Sequence, residues 1–140
     1  MAYHESTTYT CNMGYAVKGT TPQACQTTES VKCVLNGSGV AVLPILPSDH
    51  CLPAPCGRYT PLPDNSLSNQ VETAGVHNDI ITITCNSGYR SHSTSQAWSE
   101  CLSPQTFPVT CNKCMWQNAG YTCKKVRRFL ELLLCECQRQ

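Results

Sequence analysis

Twelve cysteines in 140 residues constrain this chain more than any other feature. At that density a short chain reads as a disulfide scaffold, and structural disulfides persist in oxidising surroundings, so cross-linking and an extracellular location form one inference. In a reducing cytosol such clusters would more often bind metal. The cross-links are needed because only two residues are Phe and 14% are charged, which leaves too little large apolar material for one conventional core of this length. Each bridge contributes on the order of 2–4 kcal/mol by restricting the unfolded chain. A formal net charge of +1 supplies no overall field for nucleic acid or a membrane surface. Met1 to Thr10 is polar and lacks the apolar run of a secretory signal, so a processed form or a piece of a longer chain is expected.

An internal repeat organises the chain. Thr8-Tyr9-Thr10-Cys11-Asn12-Met13-Gly14-Tyr15 is echoed by Thr82-Ile83-Thr84-Cys85-Asn86-Ser87-Gly88-Tyr89, with six of eight positions identical. Before each cysteine the residues alternate, Tyr9 with Cys11, and Ile81 and Ile83 with Cys85, which is the period of a strand with one face on a small core. Asn-x-Gly-Tyr then predicts a turn. Two further cysteines follow in each copy, Cys25 and Cys33 in the first, Cys101 and Cys111 in the second.

A strand, Cys-x-x-Gly-Tyr, a later cysteine and a closing cysteine together resemble the second half of the sushi, or complement control protein, module. The resemblance implies an all-β chain of small disulfide-rich sandwich beads that act through protein or glycan contacts. It also implies four cysteines per module, bonded first to third and second to fourth. Carried onto the second copy, that pattern implies bridges Cys56 to Cys101 and Cys85 to Cys111. Two departures stand out. The module's tryptophan falls shortly before the fourth cysteine, where this chain has Phe107, while Trp98 precedes the third. No cysteine precedes Cys11, so Cys25 is left to Cys51, to a neighbour's thiol, or to a missing part. The expected organisation is a partial module over 1–33, a linker over 34–55, a full module over 56–111 and a Cys-rich segment over 112–140.

The linker places a turn at Asn36-Gly37-Ser38-Gly39 before an apolar strand, Val40 to Leu46, and a Pro-rich stretch. Val40, Val42 and Ile45 either cover a flanking module or add as a strand to another copy. Asn36-Gly37-Ser38 is also an acceptor sequence for N-linked sugar. Cys114 to Cys123 reads as a small cysteine loop carrying Trp116 and Tyr121, the one candidate for a protruding recognition loop. Beyond it, Val126, Phe129, Leu130 and Leu133 recur at helical spacing, predicting a short amphipathic helix from Lys124 to Cys135, closed by Cys135 and Cys137. At about a dozen residues it is too short to span a bilayer. Its Lys124, Lys125, Arg127 and Arg128 are candidate contacts for sulfated glycans.

Catalytic constellations are sparse. Ser48-Asp49-His50 has the letters of a hydrolase triad, but adjacent side chains diverge and cannot align a proton relay. His4, His50, His77 and His92 are dispersed and read as surface residues. Cys111-Asn112-Lys113-Cys114 with Cys135-Glu136-Cys137 resembles a thiolate zinc set, yet oxidation and the module pattern both claim these thiols for disulfides. The expectation is therefore no enzyme, no cofactor and no metal, with Cys11, Cys25, Cys33, Cys51, Cys56, Cys85, Cys101, Cys111, Cys114, Cys123, Cys135 and Cys137 all in disulfides. The expected role is a structural or adhesive extracellular protein whose partners are its own copies, other extracellular modules or glycans, without nucleic acid or a membrane span. The alternative is a monomeric recognition fragment of a cell-surface receptor or complement-type regulator.

Overall fold

A computed structural model describes residues 2–68, 74–99 and 103–127, and these are all β, with no helix among them. The N-terminal half, residues 2–53, contains β1 (Ser6–Thr10), β2 (Tyr15–Val17), β3 (Thr28–Lys32), β4 (Val34–Leu35), β5 (Ala41–Val42) and β6 (Cys51–Pro53). The C-terminal half, residues 54–127, contains β7 (Pro55–Gly57), β8 (Ser66–Ser68), β9 (Gly75–Val76), β10 (Ile80–Cys85), β11 (Tyr89–Ser93), β12 (Thr106–Asn112), β13 (Met115–Gln117) and β14 (Tyr121–Lys125).

The sequence repeat is a repeat of backbone geometry. β1 runs antiparallel to β3 with Tyr9 opposite Glu29, and β10 runs antiparallel to β12 with Ile83 opposite Phe107. After each cysteine the chain makes the same turn: Tyr15 N–H donates to the Asn12 carbonyl at 2.9 Å, and Tyr89 N–H to the Asn86 carbonyl at 3.0 Å. Gly14 and Gly88 both have φ of 83°, the left-handed third position that glycine occupies without steric cost. The outgoing strands then pair alike, Val17 opposite Cys51 between β2 and β6, and Ser91 opposite Cys123 between β11 and β14. Bridges Cys11–Cys51 and Cys85–Cys123 close the two copies in the same way. The match extends further. Cys33 N–H donates to the Glu5 carbonyl and Cys111 N–H to the Asp79 carbonyl, so Cys33 stands in the first copy where Cys111 stands in the second.

The main core belongs to the C-terminal half. Alternation along β10 turns Ile81, Ile83 and Cys85 inward, and along β12 it turns Phe107, Val109 and Cys111 inward. These strands are the centre of a four-stranded sheet ordered β13-β12-β10-β8. Tyr59, Leu62, Tyr89, Trp116 and Tyr121 pack around them, and Phe107 stacks on Tyr121 with centroids 5.1 Å apart. Pro108, which has no N–H for a ladder, is tolerated in β12 because pairing with β13 begins only at Thr110.

Several expectations are corrected here. Cys56 bonds to Cys111, not Cys101, and Cys85 bonds to Cys123, not Cys111. Register explains why: Thr110 lies opposite Ile80, so Cys85 and Cys111 sit at opposite ends of the ladder, about 20 Å apart at 3.3 Å per residue, beyond the ~7 Å reach of a disulfide. Cys25 bonds to Cys114, not Cys51, because Cys51 is held by Cys11. Cys33 is buried and forms no disulfide among the described residues. Cys101, Cys135 and Cys137 lie outside the described residues.

The small cysteine loop is also different. Cys114 and Cys123 bond elsewhere, and the segment between them is a strand, a turn and the start of β14. Lys124 and Lys125, placed by sequence at the start of a helix, are in β14. The chain is drawn out along β11, with Val126 buried and its N–H donating to the Gly88 carbonyl at 2.9 Å. The rest of that predicted helix, from Arg128 on, lies outside the described residues. Part of the linker and part of the Cys-rich segment belong to the halves: Cys51–Pro53 pairs with β2, and residues 112–127 supply β13 and β14.

Candidate binding surfaces

The linker strand is a hairpin that projects its apolar residues outward. Val34 lies opposite Val42 and Leu35 opposite Ala41. Asn36 makes the turn: its Oδ1 accepts from Ser38 N–H at 2.9 Å and from Val40 N–H at 3.0 Å, while Gly39 takes a φ of 72°. That local bonding is the ordinary use of Asn at a turn. Leu35, Val40 and Ile45 are 50%, 56% and 98% exposed, and Val34 to Ser48 carries no charge. An uncharged, outward-facing apolar hairpin is uncommon on a monomer's surface. Asn36, first residue of the Asn-Gly-Ser acceptor sequence, is exposed at its tip.

Two further sequence candidates are set apart from the hairpin. Trp116 does not protrude: its Nε1–H donates to the Gly57 carbonyl at 3.1 Å, and its ring lies against Gly75 and edge-on to Tyr59. The basic residues form a strand face. Lys124 lies opposite Arg90 across β11 and β14, so the two cations share one side of the ribbon. Lys124 Nζ sits 4.6 Å from the centroid of Trp98, which itself meets His92 edge-on. Sequence reading missed Arg90, His92 and Trp98 as members of this face, since only the strand register joins them to Lys124. Lys125 falls on the opposite side of the same strand, Arg127 is exposed just past it, and Arg128 lies outside the described residues.

His4 is exposed, as a surface residue should be, but the other three histidines are half-buried and engaged. His50 Nε2 lies 2.9 Å from Glu29 Oε2, and the Tyr9 hydroxyl is hydrogen-bonded to both. His77 accepts from Lys113 N–H at 3.1 Å, and its ring covers Gly14, leaving no room for a Cβ there. Ser48-Asp49-His50 is not brought together, because Asp49 turns to Lys18 while His50 turns to Tyr9 and Glu29. The hydrogen bond and the positive charge from Lys18 hold the Asp49 carboxyl below its ordinary range.

Where the halves meet, Ala16, Val17, Leu52, Pro53, Pro55 and Val76 line an apolar cavity of about 300 Å³. On another side of the junction, Gln23, Arg58, Tyr59, Met115 and Trp116 line a more polar cleft of about 420 Å³. Among the described residues, no three His, Cys, Asp or Glu side chains are grouped to hold a metal ion. No helix among them is long and apolar enough to cross a membrane. No protein-family model matches the chain, and no curated protein sequence matches it.

Proposed function

We propose that this chain is a non-catalytic extracellular structural or adhesive protein, built of sushi-like β-modules, whose copies associate. The carrying observation is Cys33. In the C-terminal half, β7 brings Cys56 to Cys111, whereas no strand among the described N-terminal residues takes the place of β7, and Cys33, the counterpart of Cys111, is buried and bonded to no cysteine among the described residues. A neighbouring chain that supplies an extended segment and a thiol completes the first copy, by the strand addition that open β edges favour. The exposed β4–β5 hairpin and Ile45 in the loop after it add an uncharged surface to the same association.

The sushi reading itself is supported by the order of the bridges. In the set Cys56, Cys85, Cys111 and Cys123 the first bonds the third and the second bonds the fourth, and Trp116 falls shortly before the fourth, where the module's tryptophan belongs. Mass measurement under non-reducing conditions tests the association. Covalent multimers are expected, lost on Cys33→Ser, and non-covalent association should weaken on Ile45→Asp. A strictly monomeric chain in which Cys33 is bonded to Cys101, Cys135 or Cys137 of the same molecule sinks the proposal.

A second reading, recognition of sulfated glycans by a single copy, is favoured by the Arg90–Lys124 face with Trp98 beside it. Retention on a heparin column should fall when Arg90 and Lys124 are both replaced by Gln, and unchanged retention removes this reading.

A further inference from the structure

The two halves finish their sheet edges differently. Along β10, Cys85 N–H donates to the Gln105 carbonyl at 2.8 Å, and the Asp79 carbonyl accepts from Cys111 N–H at 2.8 Å. Odd-numbered residues of this strand therefore bond toward β12, and by alternation the even-numbered ones direct their N–H and C=O to the other side. β8 covers that side: Leu67 lies opposite Thr84, and just past the strand Asn86 N–H donates to the Asn65 carbonyl at 2.8 Å. β1 has the same parity, since Cys11 N–H donates to the Thr27 carbonyl at 2.8 Å and the Glu5 carbonyl accepts from Cys33 N–H at 2.9 Å. Ser6, Thr8 and Thr10 thus direct their backbone groups away from β3, to the side that β8 takes in the other half. Among the described residues no strand pairs there, because that sheet is β1-β3 alone.

Nothing in β1 guards the open edge. Native edge strands are blunted by charges, proline or a bulge, whereas β1 is Ser-Thr-Thr-Tyr-Thr and pairs with β3 in unbroken register from Ser6 to Thr10. Two-stranded ribbons are marginal in water, and among the described residues the N-terminal half has only two-stranded sheets. The strand is also complementary to itself. Laid antiparallel on a second β1 with Thr8 on a two-fold axis, it is paired over its whole length: Ser6 meets Thr10, Thr7 meets Tyr9, and Thr8 meets Thr8. The residues with outward backbone groups then fall in the hydrogen-bonded pairs of the ladder. Hydroxyl side chains face each other on the exposed side and threonine faces tyrosine on the half-buried side, both favourable cross-strand pairs, and no charge is set against a like charge.

We infer that β1 is a dimerisation strand, whose outer edge pairs antiparallel with β1 of a second copy about a two-fold axis through Thr8. Two β1-β3 ribbons become one four-stranded sheet, through a patch that is the same on both copies, as a two-fold contact requires. This rests on the reading that copies associate and names one edge through which they do so without a covalent bond.

Sedimentation of a Cys33→Ser chain over a range of concentrations reads association free of covalent links through that thiol, and reversible dimers are expected. In that chain Thr8→Lys and Thr8→Glu, at an exposed position, should each raise the dissociation constant at least tenfold, because each sets like charges face to face on the axis. Mixed one to one, the two variants should pair with each other at concentrations where neither pairs alone. Amide exchange at Thr8 and Thr10 should slow as the concentration of the Cys33→Ser chain rises, while Tyr9, whose N–H bonds toward β3, is protected throughout, in both variants as well. Dimerisation that neither variant weakens, or a mixture that pairs no better than its parts, overturns the inference. So does slow exchange at Thr8 and Thr10 in single copies, which would mean that another part of the same chain covers the edge. A Cys33→Ser chain that stays single at every concentration also overturns it; covalent multimers of the native chain would then leave association through Cys33 standing, and a native chain without them would remove that reading too.

Discussion

Tyr9 and Ile83 occupy the same place in two copies of one backbone pattern, each two residues before the cysteine that opens the Asn-x-Gly-Tyr turn. Their surroundings share nothing else. Ile83 is fully buried opposite Phe107, within a cluster that includes Ile81, Val109 and Cys85. Tyr9 is half-buried opposite Glu29, and its hydroxyl meets Glu29 and His50. The C-terminal half is therefore held by a compact apolar core together with Cys56–Cys111 and Cys85–Cys123. In the N-terminal half, buried hydrophobic residues are Cys11, Ala16, Val17 and Cys33, none larger than valine, and its internal bridge is Cys11–Cys51. A backbone pattern can be conserved within one chain while the forces that hold it are exchanged.

The sharpest way to break this comparison is to attack both cores. Phe107→Ala should destabilise the C-terminal half by about 3–5 kcal/mol, as expected for a buried aromatic ring deleted from a packed site. Val17→Ala in the N-terminal half should cost only about 1–2 kcal/mol, from two buried methyl groups. Trp98 and Trp116 both lie in the C-terminal half, so fluorescence during chemical denaturation follows the first loss, and amide exchange in β1 and β3 follows the second. Equal losses would mean that the first half has a core of comparable depth.

Next in size is the bridge that substitutes for that core. The double variant Cys11→Ser, Cys51→Ser should remove about 2–4 kcal/mol from the N-terminal half. Amide protection in β1 and β3 should collapse, while β10 and β12 keep theirs, because their ladder rests on Ile81, Ile83, Phe107 and Val109. Loss of protection in both halves together would show that they unfold as one unit.

Tyr9→Phe is milder and sharpens the contrast. It removes one hydroxyl from the Tyr9–Glu29–His50 cluster and leaves the ring, so a cost of about 1 kcal/mol is expected, near the net worth of a single hydrogen bond. Faster exchange confined to β1 and β3 is the readout. No change at all would mean that the ring of Tyr9, not its polar contacts, holds this face.

How much of this was legible in the sequence depends on the range of the interaction. The repeat, the strand ending at Cys85, the glycine turns and the disulfide-rich all-β class were readable, because each is a local pattern of alternation or of backbone freedom at Gly14 and Gly88. The pairing of cysteines was not. Gaps between cysteines made Cys101 and Cys111 look like a third and a fourth, but bonding is decided by which strand ends meet, and Cys85 and Cys111 are at opposite ends of one ladder. The basic stretch misled for a related reason. Lys124 and Lys125 fit a helical period with the apolar residues after them, yet backbone pairing with Arg90 and Tyr89 draws them into a strand, an interaction 34 or more residues away in sequence. The Arg90–Lys124 face and the Tyr9–Glu29–His50 cluster are likewise products of register, invisible until the partner strand is known.

The weakest contact of the N-terminal half completes the comparison. Lys18 and Asp49 form an ion pair whose side chains are 57% and 51% exposed. Because the Asp49 carboxyl is held below its ordinary range, any stability it lends is present above the unfolded carboxylate value and is lost as pH falls through the lower folded one. Water screens an exposed pair of this kind, and beside it the Lys18 N–H donates to the His50 carbonyl at 2.8 Å, a bond that does not titrate. Asp49→Asn should therefore leave both the melting curve at neutral pH and the acid limb below about pH 4 where the native chain has them. A clear loss at neutral pH that vanishes in acid would mean that surface charge, rather than Cys11–Cys51 and the Tyr9 cluster, fixes the 47–50 turn against β2. The two halves would then differ in electrostatics, not only in what fills them.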